Sequence, residues 1–187
     1  MKKKLNTKKI VLTGLLVALT CVSSAMRITM PLEIAGTTSF HLGNILCALS
    51  GILLGPWLGG VAAGLGSALY DVFSPLYISE CWLTFLMKFA YGLAAGLVIR
   101  CGKKEWNYAR ALTATCTGAV VYAAVYLLKS YFYSARLVSG LEPAAALLTV
   151  VGKLPATLFN AVIAIVIAPI LAVSIRNALK KQHLSIA

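Results

Sequence analysis

Residues 40–73 read FHLGNILCALSGILLGPWLGGVAAGLGSALYDVF, an apolar run interrupted once by Gly55-Pro56. Proline lacks a backbone N–H and clashes with the preceding turn, so the run predicts two helices joined by a tight turn. Glycines recur every four positions, namely Gly51, Gly55 and Gly59 in one row and Gly60 and Gly64 in another. In lipid such rows let helix backbones approach closely, which predicts a close-packed helical pair.

The composition of the 187-residue chain indicates an integral membrane protein. Hydrophobic residues make up 60% and charged residues 12%, a balance that would leave large apolar patches on a soluble domain. Long, continuous apolar runs favour helices over a barrel, whose strands alternate. We therefore predict an all-α protein with one transmembrane domain over residues 1–187 and six membrane-spanning helices, near 9–27, 40–56, 57–74, 81–100, 109–134 and 151–176.

The net charge of +12 fits the positive-inside rule better than nucleic-acid binding, because the basic residues lie in short clusters between apolar runs. With both termini in the cytoplasm, 12 Lys and Arg residues fall on inner segments and only Arg27 and Arg136 on outer ones. The sequence thus predicts a multi-pass cell-membrane protein with cytoplasmic termini and no nucleic-acid partner. The apolar run after MKKKLNTKK has no convincing cleavage site, so we expect a retained first helix.

The sequence lacks the patterns of common catalytic and metal sites. It has no phosphate-binding G-x-x-x-x-G-K-[ST] and no H-E-x-x-H, and its five cysteines are scattered without a C-x-x-C pair. The placement of Ser, Thr and the two histidines suggests no Ser-His-Asp set. We therefore predict no enzymatic activity, no metal and no cofactor, and any uphill transport would draw on a partner or an ion gradient.

Several costly polar residues lie inside the predicted spans. Lys88, eight residues beyond Glu80, lies about 12 Å deeper at 1.5 Å per residue, and intramembrane ionisable groups are functional candidates. Lys129 and Lys153 lie nearer the predicted outer ends, where a lysine can bind a ligand, snorkel to the interface or pair with an acid. Asn160 needs a hydrogen-bond partner on a neighbouring helix or on a ligand. We expect these groups to surround a binding site.

A polar and aromatic rim is predicted at the outer end. The loop over residues 28–39, which includes Glu33 and Gly36, is long enough to act as a lid or binding loop. Four aromatic residues accompany this rim: Tyr77, Trp82, Tyr131 and Tyr133. They are typical of an interfacial aromatic belt, and one or two of them could instead stack on a flat ligand.

The chain resembles the substrate-binding S components of energy-coupling factor (ECF) vitamin transporters, in particular the riboflavin and pyridoxine-type branch. The resemblance rests on residues 40–73, on WLTFLMKFAYGLAAG at 82–96 and on TLFNAVIAIVIAPI at 157–170. It implies six helices and capture of a vitamin at the outer end. It also implies delivery through a transmembrane coupling protein and two cytoplasmic ATPases, with membrane lipid around the chain.

The resemblance also implies roles for particular residues. Lys88 matches the family's lysine in the fourth helix, and Asn160 matches its asparagine in the sixth. His41, Asn44 and Asp71 match the polar ends of the helical pair, with Asn44 standing where many relatives have Asp. We expect these residues, together with Glu80 and Lys153, to bind the substrate.

Three functional hypotheses follow. The first is an S component that binds a small water-soluble vitamin or precursor. The resemblance favours a pyridoxine-like or pyrimidine ring as the substrate, followed by riboflavin or pantothenate. The resemblance implies that such a protein docks its coupling protein through the small-xxx-small pair Gly14 and Ala18. The second is a stand-alone secondary transporter coupled to protons through Asp71 or Glu80. The third is a membrane enzyme or scaffold, and copurifying partners distinguish all three.

Overall fold

A computed structural model describes residues 7–31, 37–101 and 107–181. The described chain contains six α-helices: α1 (Thr7–Ala25), α2 (Gly43–Leu54), α3 (Pro56–Val72), α4 (Cys81–Arg100), α5 (Tyr108–Lys129) and α6 (Pro143–Lys181). A 3₁₀ turn over Ile78–Glu80 leads into α4, and a π-helical segment over Ser130–Val138 continues α5. The prediction of an all-α chain is therefore confirmed for most of the described residues.

Four helical segments are long and apolar enough to cross a membrane by length and composition: Thr7–Ala25, Ile78–Arg100, Tyr108–Val138 and Pro143–Lys181. Helices α2 and α3 have only 12 and 17 residues, fewer than the ~20 that a full bilayer crossing requires. Every residue of α2 except Leu46 is buried, so neighbouring helices rather than lipid surround it. A helix enclosed by protein in this way does not need to match the bilayer thickness.

The structure differs from the predicted all-α chain in one segment, the predicted outer loop 28–39. Two strands, β1 (Arg27–Pro31) and β2 (Thr37–His41), pair there as an antiparallel hairpin that sets Thr29 opposite Ser39. Threonine and isoleucine in this segment favour extended backbone, which a prediction from apolar periodicity alone does not detect. Glu33 and Gly36 of the same loop lie outside the described residues.

Close backbone contacts hold the centre of the bundle together. A Cβ atom placed on Gly59 of α3 would lie 2.5 Å from the Cα of Gly51 in α2. One placed on Gly92 of α4 would lie 2.6 Å from the carbonyl oxygen of Gly59. Three helix backbones therefore meet where only hydrogen atoms fit; the glycine rows predict the contact between α2 and α3, and the structure adds α4.

The turn between α2 and α3 depends on Gly55, whose φ of +85° is strained for any residue with a side chain. The guanidinium of Arg100 covers this turn and donates a hydrogen bond to the carbonyl oxygen of Leu54 at 2.8 Å. The helices alternate in direction from there. The opposite end of the bundle, which we call the β-hairpin end, thus combines β1 and β2 with the last turns of α1, α3 and α5 and the first turns of α2, α4 and α6.

Helix α6 is longer than its predicted span. It begins at Pro143 rather than near residue 151 and continues to Lys181. Pro155 and Pro169 both lie inside it without ending it. Proline is tolerated inside membrane helices because neighbouring groups can satisfy the freed backbone carbonyls.

Candidate binding site at the β-hairpin end

The β-hairpin end contains a cavity of about 300 Å³. Residues of both strands, of the segment between α3 and α4, of the π-helical segment and of every α-helix except α2 line it. Six of the seven predicted binding residues line it: His41, Asp71, Glu80, Lys88, Lys153 and Asn160. The seventh, Asn44, is buried and contacts Lys88. The cavity mixes apolar and charged groups, as is usual for small-molecule sites.

Lys88 occupies a buried position on α4, with 4% of its surface exposed. Its ammonium donates a hydrogen bond to Oδ1 of Asn44 on α2. The same Nζ lies 4.0 Å from the ring centroid of Tyr122 on α5, a cation–π arrangement. An ammonium group has three N–H donors and Asn44 accepts one of them, so donors remain for a ligand in the cavity.

Asn160 on α6 is bonded to the β-hairpin through both ends of its amide. Its Oδ1 accepts from the backbone N–H of His41 at 2.9 Å, and its Nδ2 donates to the carbonyl oxygen of Ser39 at 2.8 Å. The sequence predicts that Asn160 bonds a neighbouring helix or a ligand. The structure adds a third partner, because this side chain satisfies a stretch of strand backbone and fixes β2 against α6.

His41 ends β2 beside the cavity. Among the described residues its Nδ1 atom is buried without a hydrogen-bond partner. Burial, followed by the positive charges of Lys88 and Arg27, holds the pKa of His41 well below its usual value. The imidazole is therefore neutral at pH 7 and has an unused ring nitrogen.

Arg27 and Asp71 form an ion pair in the lining of the cavity. Arg27 Nη2 lies 3.6 Å from Asp71 Oδ1, and the guanidinium lies 4.0 Å and 4.7 Å from the ring centroids of Tyr70 and Tyr77. Sequence reasoning counted Arg27 only as a loop charge and did not place it in the site. One available signal was that only two basic residues are predicted on the outer side, and Arg27 is one of them.

A second ion pair joins α5 to the start of α4. Lys129 donates to Oε2 of Glu80, and Ser134 donates to the other carboxylate oxygen at 3.4 Å. Of the alternatives open for Lys129, the structure thus selects pairing with an acid. Lys153 does not snorkel, because it is 5% exposed and donates to Ser130 Oγ at 3.4 Å.

Stacked tyrosines form one wall of the cavity. Tyr122 stacks on Tyr91 with ring centroids 5.7 Å apart and on Tyr126 at 5.8 Å, with interplanar angles of 23° and 20°. Tyr122 and Tyr126 line the cavity, and sequence reasoning missed both. Their spacing of four residues, which places them on one helix face, was the signal that could have identified them.

The aromatic residues predicted at the rim take different positions. Tyr77 lines the cavity, and its hydroxyl lies 3.0 Å from Ser39 Oγ and 3.4 Å from Thr29 Oγ1. Trp82 is 53% exposed and packs edge-on against Tyr133, as expected for an interfacial residue.

Gly14 and Ala18, the predicted docking pair, both lie on the exposed face of α1. A Cβ atom on Gly14 would have no neighbour within 4 Å. The pair Gly14 and Ala18 therefore does not take part in helix packing within the described chain. Nor does any group of three or more His, Cys, Asp or Glu side chains in the described ranges lie close enough to hold a metal ion.

Comparison with known proteins agrees with this architecture. A family model described as "ECF-type riboflavin transporter, S component" matches residues 4–178. A curated relative from Pyrococcus woesei, named only as an uncharacterized protein in a gap 3′ region, is 33% identical over 114 residues, 61% of this chain and 72% of its own length. The crystal structure of the S component for biotin from an ECF-type ABC transporter superposes with a TM-score of 0.62. That superposition covers 91% of this chain and 94% of the other at 14% identity, so it supports the fold alone. The matched family and the biotin S component are transporter components and not enzymes.

Proposed function

This chain belongs to the family of ECF-type riboflavin transporter S components, and we propose that it captures a small water-soluble vitamin or vitamin precursor in the cavity at its β-hairpin end. The observation that carries the proposal is the environment of Lys88. A lysine buried at the cavity, held by Asn44 and Tyr122 and with N–H donors to spare, is costly unless it serves a ligand.

The cavity favours a compact ligand. Its volume of about 300 Å³ lies at the lower end of the range for small-molecule pockets. The stacked rings of Tyr122 and Tyr126 offer an aromatic wall, and Lys88 and His41 offer polar contacts beside it. We therefore favour a pyridoxine-like or pyrimidine ring as substrate over riboflavin, whose fused ring system and ribityl chain need more room, and over pantothenate, which has no ring.

The binding end faces outward in this proposal, and both termini lie in the cytoplasm. The excess of Lys and Arg on the segments opposite the β-hairpin end supports this orientation. Helices α2 and α3 then complete six crossings despite their length, since α2 is enclosed by its neighbours. Maleimide labelling of single-cysteine chains in intact cells tests it. Arg136→Cys should react from outside and Cys101 should not, and the reverse pattern would invert the topology.

Energy for uptake comes from partners in this proposal, a transmembrane coupling protein and two cytoplasmic ATPases. The family supports this assignment, and the exposed face of α1 around Gly14 and Ala18 is the proposed docking surface. The proton-coupled alternative is less well supported, because Asp71 is ion-paired with Arg27 and Glu80 with Lys129.

Native mass spectrometry of the chain purified from cells grown in rich medium tests the proposal. We expect a retained vitamin-sized molecule, and copurification of a coupling protein and two ATPases. Absence of a bound molecule, combined with uptake that continues without the ATPases and collapses with an uncoupler, would replace this function with proton-coupled transport.

A further inference from the structure

The charged side chains that line the cavity do not balance. Four cations and two carboxylates face it, namely Arg27, Lys88, Lys129 and Lys153 against Asp71 and Glu80. His41 adds no charge at pH 7, because its buried imidazole is neutral. Among the described residues the lining therefore has two positive charges in excess.

The excess is located on two particular lysines. Arg27 is paired with Asp71 and Lys129 with Glu80, which accounts for both carboxylates. Lys88 contacts the Asn44 amide oxygen and Lys153 the Ser130 hydroxyl, and both of these acceptors are neutral. Each lysine also lies beside a different member of one tyrosine stack. Lys88 Nζ is 4.0 Å from the centroid of Tyr122, and Lys153 Nζ is 5.8 Å from that of Tyr126.

Two buried ammonium groups that have no carboxylate in direct contact destabilise the folded state. Both are at least nine-tenths buried, so solvent screens their charges poorly. Hydrogen bonds to neutral oxygens recover only part of the cost of removing an ion from water. An anion in the same cavity would recover the remainder, and it could form charge-assisted hydrogen bonds with both lysines.

From this arrangement we infer that the substrate is an anion, in which a carboxylate or phosphate monoester binds Lys88 and Lys153 while the body of the molecule lies along Tyr122 and Tyr126. The inference rests on the proposed capture function and narrows it to one substrate class. It also gives Lys153 a direct role in binding the substrate. Without an anion, this buried ammonium group has only a 3.4 Å hydrogen bond to the Ser130 hydroxyl.

Binding of matched acidic and neutral compounds to the purified full chain tests the inference. The pairs are pyridoxine phosphate with pyridoxine, hydroxymethylpyrimidine phosphate with hydroxymethylpyrimidine, riboflavin phosphate with riboflavin, and pantothenate with pantothenol. In any pair that binds, we expect the acidic member to bind at least about tenfold more tightly. Binding of one of the phosphate compounds would identify the anionic group as a phosphate monoester, and binding of pantothenate would identify it as a carboxylate.

Equal or tighter binding of the neutral member would overturn the inference and leave the capture function standing. If none of the eight compounds binds, the failure counts against the proposed vitamin class, and a second measurement then decides the charge argument. That measurement is the melting temperature of the ligand-free protein with Lys153→Met, with Lys129→Met as the matched control.

Lys153→Met removes a charge that has no carboxylate partner, so the ligand-free melting temperature should stay the same or rise. Lys129→Met leaves Glu80 without its partner and should lower the melting temperature of the ligand-free protein. Among acidic compounds that bind, Lys153→Met should also reduce affinity by about tenfold or more. A loss of stability in Lys153→Met as large as that in Lys129→Met would show that Lys153 is structural and would overturn the inference.

Discussion

The side chain of Asn160 accepts a hydrogen bond from the backbone N–H of His41 at 2.9 Å, across 119 residues of sequence. Its Nδ2 donates to the carbonyl oxygen of Ser39 on the same strand. One amide thus takes the place of a neighbouring strand for β2 and connects the β-hairpin to α6. These two hydrogen bonds should therefore limit the motion of the β-hairpin.

Asn160→Leu removes both hydrogen bonds and should loosen the β-hairpin. We expect amide hydrogen exchange at His41 to accelerate by the equivalent of about 1 kcal/mol of opening free energy, and vitamin dissociation to become faster. Asn160→Asp is the comparison variant, because it keeps an acceptor for the His41 N–H and replaces the donor to Ser39 by a second oxygen. Unchanged exchange at His41 in the leucine variant would contradict this role.

Lys88→Ala should weaken vitamin binding at least tenfold, or more than ~1.4 kcal/mol, because it removes a buried donor from the cavity. Lys88→Met preserves the length of the side chain without its charge and should lose a similar amount. Isothermal titration with the retained vitamin measures both variants. Wild-type affinity in a folded alanine variant would exclude Lys88 as a ligand group.

Stability should depend on pH through His41. Its pKa is lowered in the folded protein, so the neutral form is favoured there, and the unfolded chain binds the proton more readily. The stabilisation is fully present above the unfolded pKa of about 6.5 and is lost as pH falls from there toward the lower folded pKa. The melting temperature of the wild type should therefore fall relative to that of His41→Gln as the pH decreases from 8 to about 5. Parallel curves would contradict the expectation.

Gly14→Leu should spare vitamin binding and impair assembly with the coupling protein. Gly14 is exposed and a side chain there meets no neighbour, so the variant should fold normally. Ala124→Leu on the exposed face of α5 is the matched control for added bulk toward lipid and should leave assembly intact. Copurification of the partners measures both. Normal assembly in the Gly14 variant would relocate the docking surface.

Gly92→Ala should destabilise the protein by about 1–3 kcal/mol, because the added Cβ would lie 2.6 Å from the carbonyl oxygen of Gly59. Gly14→Ala is the comparison, since nothing lies near its Cβ and alanine is a better helix former. It should be neutral or slightly stabilising. Thermal unfolding in detergent distinguishes the two variants, and equal stabilities would mean that the α3–α4 contact can relax.

The helices and their close packing could be predicted from local patterns, because apolar runs and glycine rows reveal themselves without tertiary information. The same patterns placed Lys88 deep in the fourth helix. The partners of polar groups could not be predicted, since they depend on which helix ends meet. Asn160 illustrates this, because its acceptor and donor both bond a strand that apolar periodicity did not reveal.

The tyrosine stack was missed for a different reason. Sequence reasoning assigned aromatic residues near helix ends to the membrane interface and did not test whether Tyr122 and Tyr126 share a face. Arg27 was overlooked because it was counted only as a basic residue that indicates the topology. Such a count does not depend on whether the side chain is buried. Its place between Tyr70 and Tyr77 follows only from the fold.

The glycine contacts among α2, α3 and α4 have a mechanical consequence. Where Gly51, Gly59 and Gly92 meet, no side chain can change rotamer to absorb a shift, so these three helices must move as a rigid unit. Asn44 and Lys88 belong to that unit, so we expect their spacing to stay constant when the rest of the site adjusts to a bound molecule.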